Sequence, residues 1–145
     1  ETVHQKRTFR NSFQTRRCLV PADGFIEWKV EGKEKVPHYI FLKPKNIFAF
    51  AGIWTKWDKT PSSVYSYSIL TTQANTTLAP IHERMPVILE PENYKLWLAS
   101  DTDGRTLRDL LSPFSSKKIG AYKISKEINS YKNDRDDLLN PLNFH

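Results

Sequence analysis

The feature that most constrains this fold is a succession of short runs rich in aromatic and β-branched residues near the front of the chain. Such runs favour the pleated, half-buried surface of a β-sheet over a helix. Three of them predict strands, at residues 25–30, 36–42 and 47–54. Because turn-forming residues at 31–34 and 43–46 separate the runs, we expect the three strands to form an antiparallel meander.

The rest of the chain mixes short strands with short helices. Tyr65, Tyr67 and Ile69 alternate along residues 65–72 and predict a strand in a sheet with one solvent-exposed face. An apolar stripe after Pro91 predicts a helix at about residues 94–98. The other predicted elements are helices at about 2–13 and 106–111, strands at 18–20, 85–89 and 119–125, a turn at 21–24 and an exposed, irregular tail from 133. The predicted class is α+β, a mixed, mostly antiparallel sheet flanked by short helices.

The composition is that of one globular domain. The chain has 145 residues, of which 39% are hydrophobic and 26% charged, and no repeat or flexible linker divides it. No apolar run approaches the ~20 residues of a membrane span, and no signal peptide opens the chain. The single cysteine excludes a disulfide framework within the chain and suits a reducing compartment. Since the first residue is Glu1 and not Met, we expect that an N-terminal segment is missing.

The net charge of +6 favours an anionic partner such as nucleic acid. Residues 1–20 carry five basic side chains against one acidic one, so the excess lies at the front. These side chains, with Phe9 and Phe13 among them, could meet several phosphates; they are Lys6, Arg7, Arg10, Arg16 and Arg17. Alternatively, they form the solvated face of a helix whose Phe9 and Phe13 pack inward at i, i+4 spacing. Both interpretations can hold together.

Cys18 and His82 raise the possibility of a thiol peptidase, since a nucleophilic thiolate needs a neighbouring imidazole. However, Cys18 lies in an apolar run with Leu19 and Val20, where a free cysteine more often acts as a small buried hydrophobe. No helix N-terminus follows it to stabilise a thiolate. The local sequence therefore favours a structural Cys18.

Glu27 interrupts the otherwise apolar run Phe25-Ile26-Glu27-Trp28. Strand alternation can place it towards solvent with Phe25 and Lys29. Enclosed instead by Trp28 and Trp54, its carboxyl group would have a raised pKa and could serve as a general acid-base. The sequence leaves both interpretations open.

His82 lies in a short polar segment between Pro80 and Pro86, where Glu83 and Arg84 could orient it for proton exchange near neutral pH. A lone histidine is more often structural. A metal site is not predicted, because the histidines and the cysteine lack the close spacing of ligands. These residues are His4, His38, His82, His145 and Cys18.

Four segments together resemble the SOS response-associated peptidase (SRAP) family. They are Arg-Cys-Leu-Val-Pro-Ala-Asp-Gly-Phe-Ile-Glu-Trp at 17–28, Phe-Ala-Gly-Ile-Trp at 50–54, Thr-Thr-Gln-Ala-Asn at 71–75 and Ile-His-Glu-Arg-Met-Pro-Val at 81–87. Glu1-Thr2 looks like the end of the family signature Asn-Ala-Arg-Ser-Glu-Thr, and residues 129–141 resemble its tail. The resemblance implies a barrel-like sheet and a single SRAP domain over 1–145 that lacks its N-terminal segment.

The resemblance also implies an intracellular, cytoplasmic or nucleoid-associated protein of the DNA damage response, monomeric and without a cofactor. Such a protein binds single-stranded DNA and forms a covalent cross-link with abasic sites. The family nucleophile is a cysteine that becomes N-terminal when the initiator Met is removed by autoproteolysis. The Met-Cys-Gly-Arg start is not in this sequence, and Cys18 matches an internal family position instead.

Residue by residue, the resemblance assigns catalytic roles to Glu27 and His82. Glu27 would shuttle protons while the sugar ring opens and the imine forms, and His82 would hydrogen-bond the hydroxyl of the opened sugar or assist reversal. Thr71 matches a pocket position near the lesion, and Arg7 a phosphate-contacting arginine. Two alternatives remain: the Cys18/His82 thiol peptidase, and a non-catalytic module that binds single-stranded nucleic acid by stacking bases on Trp28, Trp54 or Trp57.

Overall fold

The computed structural model describes residues 2, 3, 5–58 and 62–142, so Glu1, His4 and His145 lie outside the described residues. The strands are β1 (Arg17–Ala22), β2 (Phe25–Glu31), β3 (Glu34–Leu42), β4 (Phe48–Trp57), β5 (Val64–Ile69), β6 (Thr71–Gln73), β7 (Arg84–Pro86), β8 (Ile88–Leu89) and β9 (Ile119–Lys123). The α-helices are α1 (Arg7–Thr15), α2 (Tyr94–Leu98) and α3 (Gly104–Asp109). Short 3₁₀ helices span Pro91–Asn93, Ser116–Lys118, Lys126–Asn129 and Asp136–Leu139.

The chain folds into two compact units, each assembled from three segments that are separate in sequence. The first unit comprises Glu1–Ala22, Phe48–Gln73 and Met85–Phe114. The second comprises Asp23–Ile47, Ala74–Arg84 and Ser115–His145. That residues 1–145 form a single domain stays a prediction.

In the first unit, β4 is the central strand and pairs antiparallel with β1, β5 and β8. Ala51 and Ile53 of β4 pack into a core to which α1 and α2 also contribute. Trp97 of α2 is fully buried there, and its ring lies 6.0 Å from that of Phe13 in α1. The core consists of Phe13, Ala51, Ile53, Leu70, Val87, Leu89, Trp97, Leu107 and Leu111.

In the second unit, β3 lies between β2 and β9, and both pairings are antiparallel. Glu27 stands directly opposite His38 in the β2–β3 register. Ile40 of β3 and Ile124, just after β9, are fully buried. The predicted irregular tail is in part ordered, because Asp136–Leu139 forms a 3₁₀ helix that buries Leu138.

The α+β class with mostly antiparallel sheets and short helices is confirmed, but the predicted meander is wrong. β4 does not continue the β2–β3 hairpin; it pairs in a different sheet, and the second neighbour of β3 is β9. A strand pattern reports local backbone preference, whereas the partner depends on residues far along the chain. The pairings among the described residues give three separate sheets, with β6 and β7 as a two-stranded one, and none closes into a barrel.

Several local expectations also need correction. All six residues of β5 are exposed, so both its faces are open and not one only. The first helix runs over Arg7–Thr15 and not over 2–13, and Pro21 and Ala22 belong to β1 and not to a turn. The predicted strand at 85–89 is divided at Val87, whose backbone bonds with Leu70 and Ala51. No helix among the described residues is long and apolar enough to cross a membrane.

Candidate active site

Glu27 and His82, the two predicted catalytic residues, both lie in the second unit. Glu27 is half-buried on β2. Burial raises the pKa of its carboxyl group, while the nearby His82 and the backbone N–H of Trp28 partly offset that rise. The structure therefore brings the two side chains within electrostatic reach of each other.

The environment of Glu27 lies between the two interpretations of the sequence. Glu27 is half-buried, and the Trp28 ring does not enclose it. Successive strand residues point to opposite faces, so the Trp28 ring lies on the other face of β2. There its indole Nε1 donates a hydrogen bond of 2.8 Å to Oδ1 of Asn129. Trp28 therefore anchors the strand and does not cover the carboxyl group.

His82 ends a compact turn that begins at Asn75. The Asn75 Oδ1 accepts hydrogen bonds from the backbone N–H groups of Thr77 (3.1 Å) and Leu78 (3.0 Å). Leu78 is buried, and its carbonyl oxygen accepts the N–H groups of Ile81 and His82 at 2.8 and 2.9 Å. Asn75 is thus a positioning residue that sequence reasoning missed, although Asn followed by two Thr residues is typical of such a capped turn.

The exposed imidazole of His82 is oriented by the backbone of Arg84. Its Nδ1 lies 3.1 Å from the Arg84 N–H donor and 3.0 Å from the Arg84 carbonyl oxygen. When Nδ1 accepts from the N–H group, the proton of the neutral ring is on Nε2. Because both backbone contacts use Nδ1, Nε2 remains for another partner. An oriented imidazole beside a carboxyl group of raised pKa can carry out acid-base chemistry.

Cys18 is half-buried in the first unit and is a poor candidate nucleophile. Burial raises the pKa of its thiol, which disfavours the reactive thiolate. It stands opposite Gly52, where a Cβ atom would lie only 2.8 Å from the Cys18 Sγ. The thiol therefore fills space left by a glycine, as expected of a structural cysteine.

Arg17 is not available to contact phosphate, contrary to one interpretation of the basic front segment. Its side chain is buried and donates to four backbone carbonyl oxygens. Its Nε lies 2.6 Å from the carbonyl oxygen of Trp97, and its Nη2 lies 2.5 Å from that of Ala99. Its Nη1 lies 2.9 Å from the carbonyl oxygen of Phe13 and 2.5 Å from that of Gln14. The sequence alone does not predict this buried role, because the carbonyl partners lie at the ends of two helices that are far apart in sequence.

Three other basic side chains that the sequence suggested as phosphate contacts are exposed. Lys6, Arg7 and Arg10 are exposed, and Arg7 is the first residue of α1. Phe13 is buried in the core, whereas Phe9 is 37% exposed, so only one of the two rings packs fully inward. Thr71 is exposed at the start of β6. The DNA-binding roles of Arg7 and Thr71 stay predictions.

No group of three or more His, Cys, Asp or Glu residues that could hold a metal ion occurs in the part of the chain that the structure describes. Of the predicted site residues, Glu27 and His82 are brought within electrostatic reach of each other.

Comparison with known proteins identifies relatives of this chain. The chain is 43% identical over 143 residues to the abasic site processing protein YoqW of Bacillus subtilis, with 96% of this chain and 63% of YoqW covered. It is 26% identical over 144 residues to the abasic site processing protein YedK of Escherichia coli, with 98% and 65% covered. The chain thus spans less than two thirds of the length of these relatives.

The fold is also similar to that of solved structures. A crystal structure of a protein from Bacteroides thetaiotaomicron superposes with a TM-score of 0.90 at 34% sequence identity, covering 97% of this chain and 62% of that one. The family model described as "SOS response associated peptidase (SRAP)" matches residues 1–131. This chain belongs to the SOS response-associated peptidase family.

Proposed function

We propose that this protein processes abasic sites in DNA, the activity for which YoqW and YedK are named. The observation that carries the proposal is the half-buried Glu27 within electrostatic reach of His82. Single-stranded DNA that contains an abasic site is the proposed substrate, and the reaction would take place inside the cell, in the cytoplasm or at the nucleoid.

Glu27 is the proposed proton shuttle. An abasic deoxyribose is largely a closed hemiacetal, and opening it moves a proton from the anomeric hydroxyl to the ring oxygen. A carboxyl group of raised pKa stays protonated to a higher pH, so it can donate one proton and accept the other. The product of this step is the open-chain aldehyde, which a nucleophilic amine can attack.

His82 is proposed to hold the opened sugar. With Nδ1 against the backbone of Arg84, its Nε2 N–H can donate a hydrogen bond to the sugar hydroxyl that ring opening releases. This bond would keep the sugar open while the aldehyde reacts.

The proposed cross-link uses the N-terminal cysteine of the family, which the 145-residue sequence does not contain. An α-amine with a pKa of about 7.7–8.0 is partly neutral at pH 7 and can attack the aldehyde, releasing water to form an imine. The adjacent thiol then adds across the C=N bond and closes a thiazolidine ring. Arg7 is proposed to contact a phosphate and Thr71 to lie near the lesion.

The proposal predicts a covalent adduct between single-stranded DNA and the protein expressed from its complete coding sequence. An oligonucleotide with one abasic site should yield a shifted band on a denaturing gel. We expect Glu27→Gln to slow adduct formation by about 10²-fold, the scale of general acid-base catalysis, and His82→Ala to slow it by roughly tenfold, the value of one hydrogen bond.

Glu34→Gln is the matched control, because Glu34 is an exposed carboxylate of the same unit that is paired with Lys126; it should react at the wild-type rate. Absence of any adduct, or full rates in both active-site variants, would contradict the proposal. Equal affinity for intact and abasic DNA without an adduct would instead favour the non-catalytic binding module, for which Trp57, 55% exposed, offers a stacking surface.

A further inference from the structure

The second unit contains a cavity of about 540 Å³ that the proposed chemistry does not use. Its polar lining consists of three lysines, two hydroxyl residues and one histidine, with no carboxylate among the lining residues. These are Lys29, Lys43, Lys117, Thr77, Ser116 and His38. A concave surface lined by charge of one sign concentrates counter-ions of the other sign, so the cavity favours an anion.

The positive charge of this lysine cavity is only partly neutralised. The Lys29 Nζ lies 3.1 Å from Glu31, but the same carboxylate also holds Lys123 at 3.2 Å, so one negative charge serves two ammonium groups. Within the described ranges, neither Lys43 nor Lys117 has a carboxylate in salt-bridge contact. At least two ammonium groups therefore remain available to an anion.

The wall of the cavity is shaped by Gly120 on β9. A Cβ atom at this position would lie 2.7 Å from Cε of Lys43 and 2.5 Å from the ring of Phe41. The missing side chain lets the stem of Lys43 lie against the strand. The resulting volume falls within the ~300–1,000 Å³ usual for small-ligand sites and can admit a nucleotide.

His38 adds an oriented imidazole to the same cavity. It is buried, and its Nδ1 lies 2.9 Å from the Val36 carbonyl oxygen, to which it donates a hydrogen bond. This backbone contact fixes the orientation of the ring in the polar lining of the cavity.

We propose that this lysine cavity binds a phosphate group carried by a nucleotide, and specifically a backbone phosphate of the DNA strand on which the protein acts. Residues that line the cavity are close in sequence to the candidate active site. Ile81 directly precedes His82, and Lys29 follows Glu27 by two residues on the same face of β2. That the phosphate belongs to a DNA strand rests on the proposed function, whereas the preference for a phosphate group rests on the cavity alone.

The test compares two double variants of the protein expressed from its complete coding sequence. Lys43→Gln/Lys117→Gln removes two charges from the cavity. Lys33→Gln/Lys132→Gln removes two exposed charges from the same unit that do not line it. Binding of undamaged single-stranded (dT)12 is measured by fluorescence anisotropy between 50 and 300 mM salt. The slope of log K against log salt is negative, and only the cavity variant should make it shallower. The expected change is roughly 1.4, for two lost phosphate contacts at ~0.7 each.

A second arm records the ¹⁵N resonances of the His38 imidazole during titration with inorganic phosphate and with thymidine monophosphate. A phosphate-dependent change in the His38 resonances that the cavity variant abolishes supports the site. If that change occurs while the DNA slope is unaltered, the phosphate belongs to a free nucleotide and not to the backbone. No response of His38 together with equal slopes in the two variants overturns the proposal. Since the DNA is undamaged, failure of cross-linking does not affect this result.

Discussion

Two glutamates of β2, four residues apart, have opposite electrostatic environments. Burial raises the pKa of Glu27. Glu31 is only partly exposed (34%), and hydrogen bonds from Lys29 and Lys123 lower the pKa of its carboxyl group. The folded protein therefore resists ionisation of Glu27 and favours ionisation of Glu31. The first glutamate destabilises the fold at neutral pH, as is common for residues retained for chemistry.

This contrast predicts that Glu27→Gln stabilises the protein at neutral pH. The penalty for ionised Glu27 is absent below its unfolded-state pKa of about 4.3 and complete above its higher folded-state pKa. The gain in the midpoint of thermal unfolding should therefore be present at pH 7.5 and vanish at pH 4.

Glu31→Gln serves as the control of opposite sign, since a lowered pKa contributes stability that is present at neutral pH and lost on acidification. It should lower the midpoint at pH 7.5 and have little effect at acid pH. Thermal unfolding followed by circular dichroism at both pH values measures both variants. Destabilisation by Glu27→Gln at pH 7.5 would contradict the assigned environment.

At the scale of elements, Arg17 joins the C-terminal ends of two helices to the start of β1. Its guanidinium donates to Phe13 and Gln14 near the end of α1, and to Trp97 and Ala99 at the end of α2. The last carbonyl groups of a helix lack partners within it and carry partial negative charge. One buried cation satisfies both ends, so it sets the packing of α1 and α2 on the sheet.

We expect Arg17→Gln to lower the free energy of unfolding by roughly 3 kcal/mol, because buried carbonyl groups lose their donors. The neighbouring Arg16→Gln is the matched control. Arg16 lies over the Trp54 ring at 5.6 Å from its centroid, and losing such a contact costs about 1 kcal/mol or less. Urea unfolding curves give both values. Similar losses in the two variants would show that Arg17 does not join the helices.

The sequence predicted elements better than it predicted their partners. The strand at 25–30 is confirmed as β2 because a run of aromatic and β-branched residues between turns is a local property. The pairing of β4 with β1 joins residues far apart in sequence, such as Ile53 opposite Arg17, and no local pattern contains it. Glu27 was identifiable as an acid within an apolar run, but its closeness to His82 depends on the turn anchored by Leu78.

At the scale of the whole molecule, the chain passes repeatedly between its two units, so each unit is completed only by the last third of the sequence. β3 pairs with β9 across nearly 80 residues, with Phe41 opposite Gly120. The resemblance to the family located Glu27 and His82 in the sequence, and the structure places both in the second unit. Arg7 and Thr71 belong to the first unit.

β5 ends the strand order β1-β4-β5, and no other strand of the described chain pairs with its outer edge. Its exposed side chains include Val64 (51%), Tyr65 (65%) and Tyr67 (62%). An apolar strand with free backbone donors and acceptors is a template on which another chain can add a strand. The 145-residue chain should therefore self-associate as its concentration rises, although we expect a monomer at low concentration.

Tyr67→Lys should suppress this association, because a charged side chain on an edge strand opposes strand addition. Tyr131→Lys makes the same change at a tyrosine that is 92% exposed outside any sheet, and it should leave the association intact. Light scattering over a concentration series measures the apparent mass, and a constant monomer mass for the unmodified chain would contradict the expectation. The exposed strand thus predicts that solubility falls as the concentration of this chain rises, and that a single lysine on β5 restores it.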